Sequence, residues 1–363
     1  MWPRYLAFAS ITAACAILIT ALVALDTSLS PPPATTGGAG ARPEYAAAEG
    51  GTIALRSLRA AAKRGGRRAE FNLALLYENG RGVARDYPMA AKWYRRAARQ
   101  GYAPAQCNLG YLYEKGEGVS KNYAEALRWF RMAAAQEFSM AQYDIGHLYD
   151  RGLGVARDRA RAAIWYRRAA VRGCSSAECN LGYLYLHGYG LPRNYQKAAI
   201  WEGKAARQGV LRAECTLGLL YSRGWGVPQN YALAAKWYNR AARNGLAAAE
   251  FNLGLQYFRG DGVKKNGELA IEWFRKAAAQ GDWKAEYSIG LAYYLGRGVH
   301  TADTKALYWW LLARADAAPS SWVGRHVGGH IASAESLLSH MQIRRCRAAA
   351  TATLKARKRK NVD

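Results

Sequence analysis

Seven glycine pairs recur along the chain at a constant step of 36 residues: Gly80/Gly82, Gly116/Gly118, Gly152/Gly154, Gly188/Gly190, Gly224/Gly226, Gly260/Gly262 and Gly296/Gly298. No insertion interrupts the series. A fixed period in this range marks a stacked array of helical units, each too small to bury its apolar face alone. Such arrays bind partners along an extended surface. Other residues keep the same register: a Tyr before each pair (Tyr77 to Tyr293), a Trp after it (Trp93, Trp129, Trp165, Trp201, Trp237, Trp273, Trp309) and an Ala ahead of each Trp (Ala90 to Ala306).

Each unit reads as two short helices, A and B. In the first unit Leu73, Leu76 and Tyr77 follow the i, i+3, i+4 spacing of one buried face. A small residue beside Leu73 (Ala74, then Gly110, Gly146, Gly182, Gly218, Gly254 and Gly290) allows another helix to approach closely. Gly80 ends helix A as a left-handed cap. Asp86 opens helix B as an N-cap, repeated by Asn122, Asp158, Asn194, Asn230 and Asn266. Helix B ends at Gly101, Gly173, Gly209, Gly245 or Gly281, while Glu137 and Ala317 depart from that rule. Every Trp of the series is expected to be buried against a neighbouring unit, so these residues carry stacking rather than chemistry.

The pattern A-E-x-N-L-G-x-L-Y-x-x-G-x-G-V-x-x-N-Y-x-x-A-x-x-W-Y-x-x-A-A-x-x-G resembles the Sel-one-like repeat, a branch of the tetratricopeptide-like superfamily, from Ala69 to about Ala317. The resemblance implies an all-α fold, a right-handed α-solenoid of antiparallel helix pairs. It also implies work as an adaptor or scaffold, commonly in bacterial envelopes and signalling. The Ala-, Arg- and Gly-rich composition fits a bacterial source by resemblance only.

The expected organisation follows from the ends of the array. Residues 1–4 form a cytoplasmic start, and 5–25 are 21 residues without a charge. That stretch spans about 31 Å as a helix, enough for one transmembrane signal anchor. Arg4 on one side and Asp26 on the other place the array outside the cytoplasm, hence an inner-membrane, single-pass protein with a periplasmic array. Residues 26–52, with Pro31-Pro32-Pro33 and Gly37-Gly38, read as a flexible linker. Residues 53–68 read as an N-terminal capping helix, 69–320 as seven repeats and 321–354 as C-terminal capping helices with a turn at Gly324, Gly328 and Gly329. Residues 355–363 read as a basic tail.

The net charge is +26. Arg95, Arg96 and Arg99 on helix B, with Lys355, Arg357, Lys358, Arg359 and Lys360 in the tail, are the candidates for contact with an anionic polymer or lipid surface. By resemblance to tetratricopeptide arrays, helix A lines a concave groove. Its candidate partner contacts are Glu78, Glu114 and Asp150 at an acidic end, Phe258 and Tyr294 at an aromatic end, and Tyr111, Tyr183, Phe251 and Tyr287 between. Such a groove suits a protein or peptide partner with aromatic anchors. A nucleic-acid partner requires a cytoplasmic array, and the topology reading argues against it.

Six cysteines in 363 residues are too few for a disulfide framework, so the thiols read as packed and free, with Cys174 and Cys179 the one pair near in sequence. The chain carries no S-x-x-K, G-x-S-x-G, H-E-x-x-H, C-x-x-C or P-loop motif. His326 and His330, with His340 and Cys346 downstream, give only a weak zinc spacing. The expectation is a binding protein without catalytic residues, metal or cofactor.

Overall fold

The computed structural model describes residues 51–360. The expected signal anchor at 5–25, most of the linker and Cys15 lie outside the described residues. Seventeen helices and no strand occur among the described residues. Helix α1 (Gly51–Lys63) precedes seven A–B pairs: α2 (Arg67–Asn79) with α3 (Tyr87–Arg99), α4 (Ala103–Lys115) with α5 (Tyr123–Ala135), α6 (Ser139–Arg151) with α7 (Arg159–Ala170), α8 (Ser175–His187) with α9 (Tyr195–Arg207), α10 (Leu211–Arg223) with α11 (Tyr231–Arg243), α12 (Ala247–Arg259) with α13 (Gly267–Ala279), and α14 (Trp283–Leu295) with α15 (Asp303–Asp316). Two cap helices follow, α16 (Trp322–Glu335) and α17 (His340–Lys360). The described chain divides into two compact bodies, residues up to 213 and residues from 214.

The local chemistry works as the caps require. Gly80 sits in the left-handed region at φ 68°. Asp86, Asn122, Asp158, Asn194, Asn230 and Asn266 accept backbone N–H bonds at 2.8–3.1 Å at the start of the first six B helices. The second glycine serves a different need in most loops after the first. A Cβ on Gly118 would collide with the Tyr87 backbone at the start of the preceding B helix.

Between helices, the tryptophans do not carry the core as expected. Only Trp129 is buried, and the other six are half-buried. Cations of the same helix lie over several rings, Lys276 at 4.0 Å from Trp273 and Lys204 at 4.2 Å from Trp201. The core slot belongs to the next residue: Tyr94, Phe130, Tyr166, Tyr238, Phe274 and Trp310 are at most 2 % exposed. The reason is angular. Ala90, Ala91, Tyr94, Ala97 and Ala98 form the buried stripe of α3, and Trp93 stands about 100° off that stripe, one helical residue back. The slot also explains the small residue of helix A. A Cβ on Gly254 would lie 2.7 Å from the Phe274 ring.

Two polar ladders tie the units. A buried side chain early in helix A pairs with the residue closing helix B of the same pair. Gln100 donates to Glu70 at 2.7 Å, Gln136 to Gln106 at 2.8 Å, Gln208 to Glu178 at 2.7 Å and Gln280 to Glu250 at 2.9 Å. An arginine of helix B donates to the tyrosine of the next helix A: Arg95 to Tyr113 at 3.1 Å, Arg167 to Tyr185 at 2.9 Å and Arg275 to Tyr293 at 2.9 Å.

The C-terminal cap differs from expectation in two respects. Gly324, Gly328 and Gly329 lie inside α16, whose N-cap is Ser321, and the break falls at residues 336–339 instead. The helix beyond that break runs to Lys360, well past residue 354. Its Arg357 reaches back to Glu286 at 2.6 Å and Asp316 at 2.7 Å. In the seventh pair Asp316 stands where other units place glutamine, so two carboxylates face each other and Arg357 bridges them.

Candidate functional site

Most of the candidate groove residues have internal partners. Tyr94 donates to Glu78. Glu114 is buried, 3.5 Å from Lys115 and 3.9 Å from His147. Asp150 is buried and accepts from Arg159 at 3.1 Å. Two of these acids are thus paired with internal cations, and Glu78 is hydrogen-bonded. The aromatic residues behave similarly. Phe251 and Phe258 are each 4 % exposed and pack on Phe274. Tyr287 is fully buried, with its hydroxyl 3.0 Å from His330 of α16. Tyr294 is half-buried with its ring 5.5 Å from Trp310. Tyr111 remains half-exposed beneath the Lys115 ammonium at 5.2 Å. The expected gradient from acidic to aromatic is therefore spent on packing. The cap helix α16 covers its aromatic end.

The anionic-surface candidates divide. Arg95 serves Tyr113, Arg96 pairs with buried Glu70 at 2.7 Å, and Arg357 holds the cap. Arg99, Lys355 and Arg359 are exposed. The side chains of Lys358 and Lys360 lie outside what is described. On the B helices, Ile164 and Ile200 stand exposed where other units place Lys92, Arg128 and Lys236. The basic face is therefore interrupted.

A contiguous polar and aromatic surface does emerge in the first body, on elements α6 to α10. Asp150 fixes Arg159, whose guanidinium lies 4.0 Å over the Tyr189 ring. Tyr189 stacks on His187 at 5.3 Å, and His187 lies 4.4 Å from Tyr183. Arg212 lies 5.6 Å over Tyr183 and donates to Asn180 at 2.5 Å and to the Cys179 Sγ at 3.0 Å. Arg159, His187, Tyr189, Asn180 and Arg212 are all half-exposed. Of these, sequence reasoning singled out only Asp150 and Tyr183.

Beneath this surface the core slot of the fourth pair is broken. Glu202 stands where the other units place Tyr, Phe or Trp. It is 1 % exposed and its Oε2 has no partner. Burial pushes its carboxyl up to about 8, against the opposing pull of Arg212. Burial likewise pushes the Cys179 thiol up to about 12. Burial works against the Arg212 charge, but Cys179 and Glu202 beside it more than offset that, and the net shift is upward. Burial, with the nearby Arg159 charge, lowers His187, so it is neutral at physiological pH. Its Nε2 is buried without a partner. The signal that marks Glu202 is legible in the sequence: W-E-G interrupts the W-Y and W-F series.

Three further observations bear on chemistry. Cys107, Cys174, Cys179, Cys215 and Cys346 are buried and unbridged. No metal-holding cluster of histidine, cysteine and acidic side chains occurs among the described residues. His330 is engaged by Tyr287 and the Trp310 ring, and burial lowers its pKa.

Comparison with known proteins adds the following. A family model described as Sel1 repeat matches residues 67–102, 103–138, 139–174, 175–210, 211–246, 247–282 and 283–315. A Sel1 repeat protein from Oxalobacter formigenes is similar at 31 % identity and TM-score 0.60, over 67 % of this chain and 96 % of that one. The protein c5321, a protective antigen present in uropathogenic Escherichia coli strains and displaying an SLR fold, is similar at 27 % identity and TM-score 0.48, over 84 % of this chain and 87 % of that one. No curated protein matches the sequence.

Proposed function

We propose that this chain, which belongs to the Sel1 repeat family, is a non-enzymatic scaffold that holds a protein or peptide partner on the surface formed by its A helices and the loops and B-helix starts beside them. The observation that carries this reading is the run of half-exposed Arg159, Tyr189, His187 and Arg212 in the first body. Arginine and aromatic residues on rigid support are the side chains that dominate binding hot spots. The support is a stack of helix pairs in which Gln208 donates to Glu178 within the fourth pair and Arg167 of the third pair donates to Tyr185 of the fourth. A rival reading, attachment to an anionic surface through helix B and the tail, is weakened by the internal partners of Arg95, Arg96 and Arg357.

The finer part of the proposal is location. The uncharged stretch at 5–25 and the Pro/Gly segment after it support a single inner-membrane span with the array tethered in the periplasm. A reporter active only in the periplasm, fused after Asp363, is expected to be active. Activity of a cytoplasm-only reporter at that site refutes the location.

Site-specific photocrosslinking tests the scaffold reading. A photoreactive residue at Tyr189 is expected to trap a discrete partner in cells. One at the exposed Arg128 of helix B is expected to trap none. Adducts from Arg128 alone would refute the A-helix surface.

A further inference from the structure

We infer that Arg223 and Arg259, the last residues of α10 and α12, form a receptor for a carboxylate group carried by the partner. The inference rests on the scaffold reading and adds what the partner must present.

The first argument is unmet hydrogen bonding. Nε and Nη2 of Arg223 and Nη2 of Arg259 are buried without a partner. Nε–H and Nη2–H are the parallel donors on one edge of a guanidinium, the fork that takes both oxygens of a carboxylate. A buried donor without an acceptor is costly and normally avoided. Here three such donors occur on two arginines whose register differs by one repeat.

The second argument explains how they came to be unmet. Each A helix but two ends on a basic side chain: Lys115, Arg151, His187, Arg223 and Arg259, against Asn79 and Leu295. The residue before it is Glu78, Glu114 or Asp150 in the first three units, but Leu186, Ser222 and Phe258 in the next three. In the second unit the acid meets the base that follows it, Glu114 lying 3.5 Å from Lys115. In the fifth and sixth units the acid is absent and an arginine stays. The fold's own answer to a cation in this position is a carboxylate, and an external one fills the same need.

The third argument is charge. Asp261 lies 3.8 Å from Nη1 of Arg259, and Tyr231 and Tyr238 are the other groups facing the pair. Two guanidinium groups against one aspartate leave one positive charge. A monoanionic carboxylate balances it, whereas a phosphate dianion overshoots. Burial lowers the pKa of both arginines, and the Arg223 charge adds to the lowering at Arg259. An incoming anion relieves both effects.

A cation at a helix C-terminus also complements the helix dipole. That role asks only for a solvated side chain and leaves the buried, unmet donors unexplained. Access runs past Tyr231, whose exposed ring borders both arginines. Arg223 itself lies 5.7 Å over the half-exposed Trp225.

Thermal unfolding of the full-length chain in non-ionic detergent tests this with acetate as the probe. Sodium acetate is compared with sodium chloride and inorganic phosphate at matched ionic strength. At ten times its dissociation constant, acetate is expected to raise Tm by about 2–4 °C over chloride, saturably. Arg223→Gln and Arg259→Gln are expected to remove that increment, leaving the acetate and chloride curves together. Without acetate, both variants are expected to unfold at the wild-type temperature or above, since each loses unmet buried donors. No saturable increment in the wild type overturns the inference. So does an equal increment in Arg223→Gln, which marks a general salt effect, or a larger one with phosphate, which assigns the site to another anion. Failure here with partner crosslinking intact at Tyr189 leaves the scaffold reading standing.

Discussion

The two bodies solve one packing problem with different chemistry. In residues from 214, the slot after each tryptophan holds Tyr238, Phe274 and Trp310, all buried. In residues up to 213 it holds Tyr94, Phe130 and Tyr166, and then Glu202. The charges differ in the opposite sense. The first body pairs its acids Glu114 and Asp150 with Lys115 and Arg159. The second keeps Arg223 and Arg259 without an acid at the preceding position, and only Asp261, 3.8 Å from Arg259, stands against the pair. A repeat frame held by glycine caps and alanine stripes tolerates one polar departure in each body. Those departures are where binding groups have room to differ, because the stacking residues cannot.

The comparison is broken or sharpened first by the same substitution in the two slots. Phe274→Ala is expected to cost about 3–5 kcal/mol by emptying a closed apolar slot. Glu202→Ala is expected to cost about 1 kcal/mol or less, since it removes a carboxyl with an unmet oxygen. Chemical denaturation reads both, and equal costs would erase the distinction between the bodies.

The cap of the second body comes next. Arg357→Ala is expected to cost about 3 kcal/mol, because Glu286 stays fully buried beside Asp316 without its counter-charge. Adding Glu286→Gln is expected to recover much of that loss. If Arg357→Ala unfolds with the wild type, α17 does not lock the array.

Glu202 also predicts a pH dependence confined to the first body. Its folded pKa of about 8 lies above the ordinary carboxyl value of 4.5. Between those values the folded chain keeps a proton that the unfolded chain has lost. Stability from this group is therefore complete below pH 4.5, falls as pH rises, and is gone above about 8. Glu202→Gln is expected to flatten that slope, and an unchanged slope would show that the carboxyl is not held protonated.

The smallest effect concerns a single cap. Glu137, at φ 61°, replaces the glycine that ends other B helices, and it is the one non-glycine in that region among the described residues. Glu137→Gly is expected to stabilise by about 1 kcal/mol from relieved backbone strain, less whatever its exposed pair with Arg172 contributes.

What the sequence made legible was everything written in the period. The Gly80 series, the Asp86 series of N-caps and the seven pairs follow from local backbone chemistry that acts within a few residues. The role of the tryptophans was misjudged by one position. The alanines Ala90, Ala91, Ala97 and Ala98 define the buried stripe, and Tyr94 lies on it while Trp93 does not. Trp273→Ala is accordingly expected to cost less than half of Phe274→Ala. The groove residues were misjudged for another reason. Whether Glu114 is free depends on His147, 33 residues later, and whether Tyr287 is open depends on His330 in a cap without the repeat. Contacts of that range have no signature in a single sequence. Glu202 did have one, as a break in an otherwise regular column, and Arg223 and Arg259 had one in the Ser222 and Phe258 that stand where earlier units place an acid.

The central claim is that the surface bearing Arg159 and Tyr189 takes the partner. Quantitative capture of the crosslinked partner by tagged full-length variants measures it directly. Arg159→Ala with Tyr189→Ala is expected to reduce capture at least tenfold, with thermal stability close to wild type, while Arg99→Glu with Lys355→Glu and Arg359→Glu leaves capture intact. Undiminished capture by the first variant, with loss confined to the second, would contradict the account and assign binding to the basic outer residues.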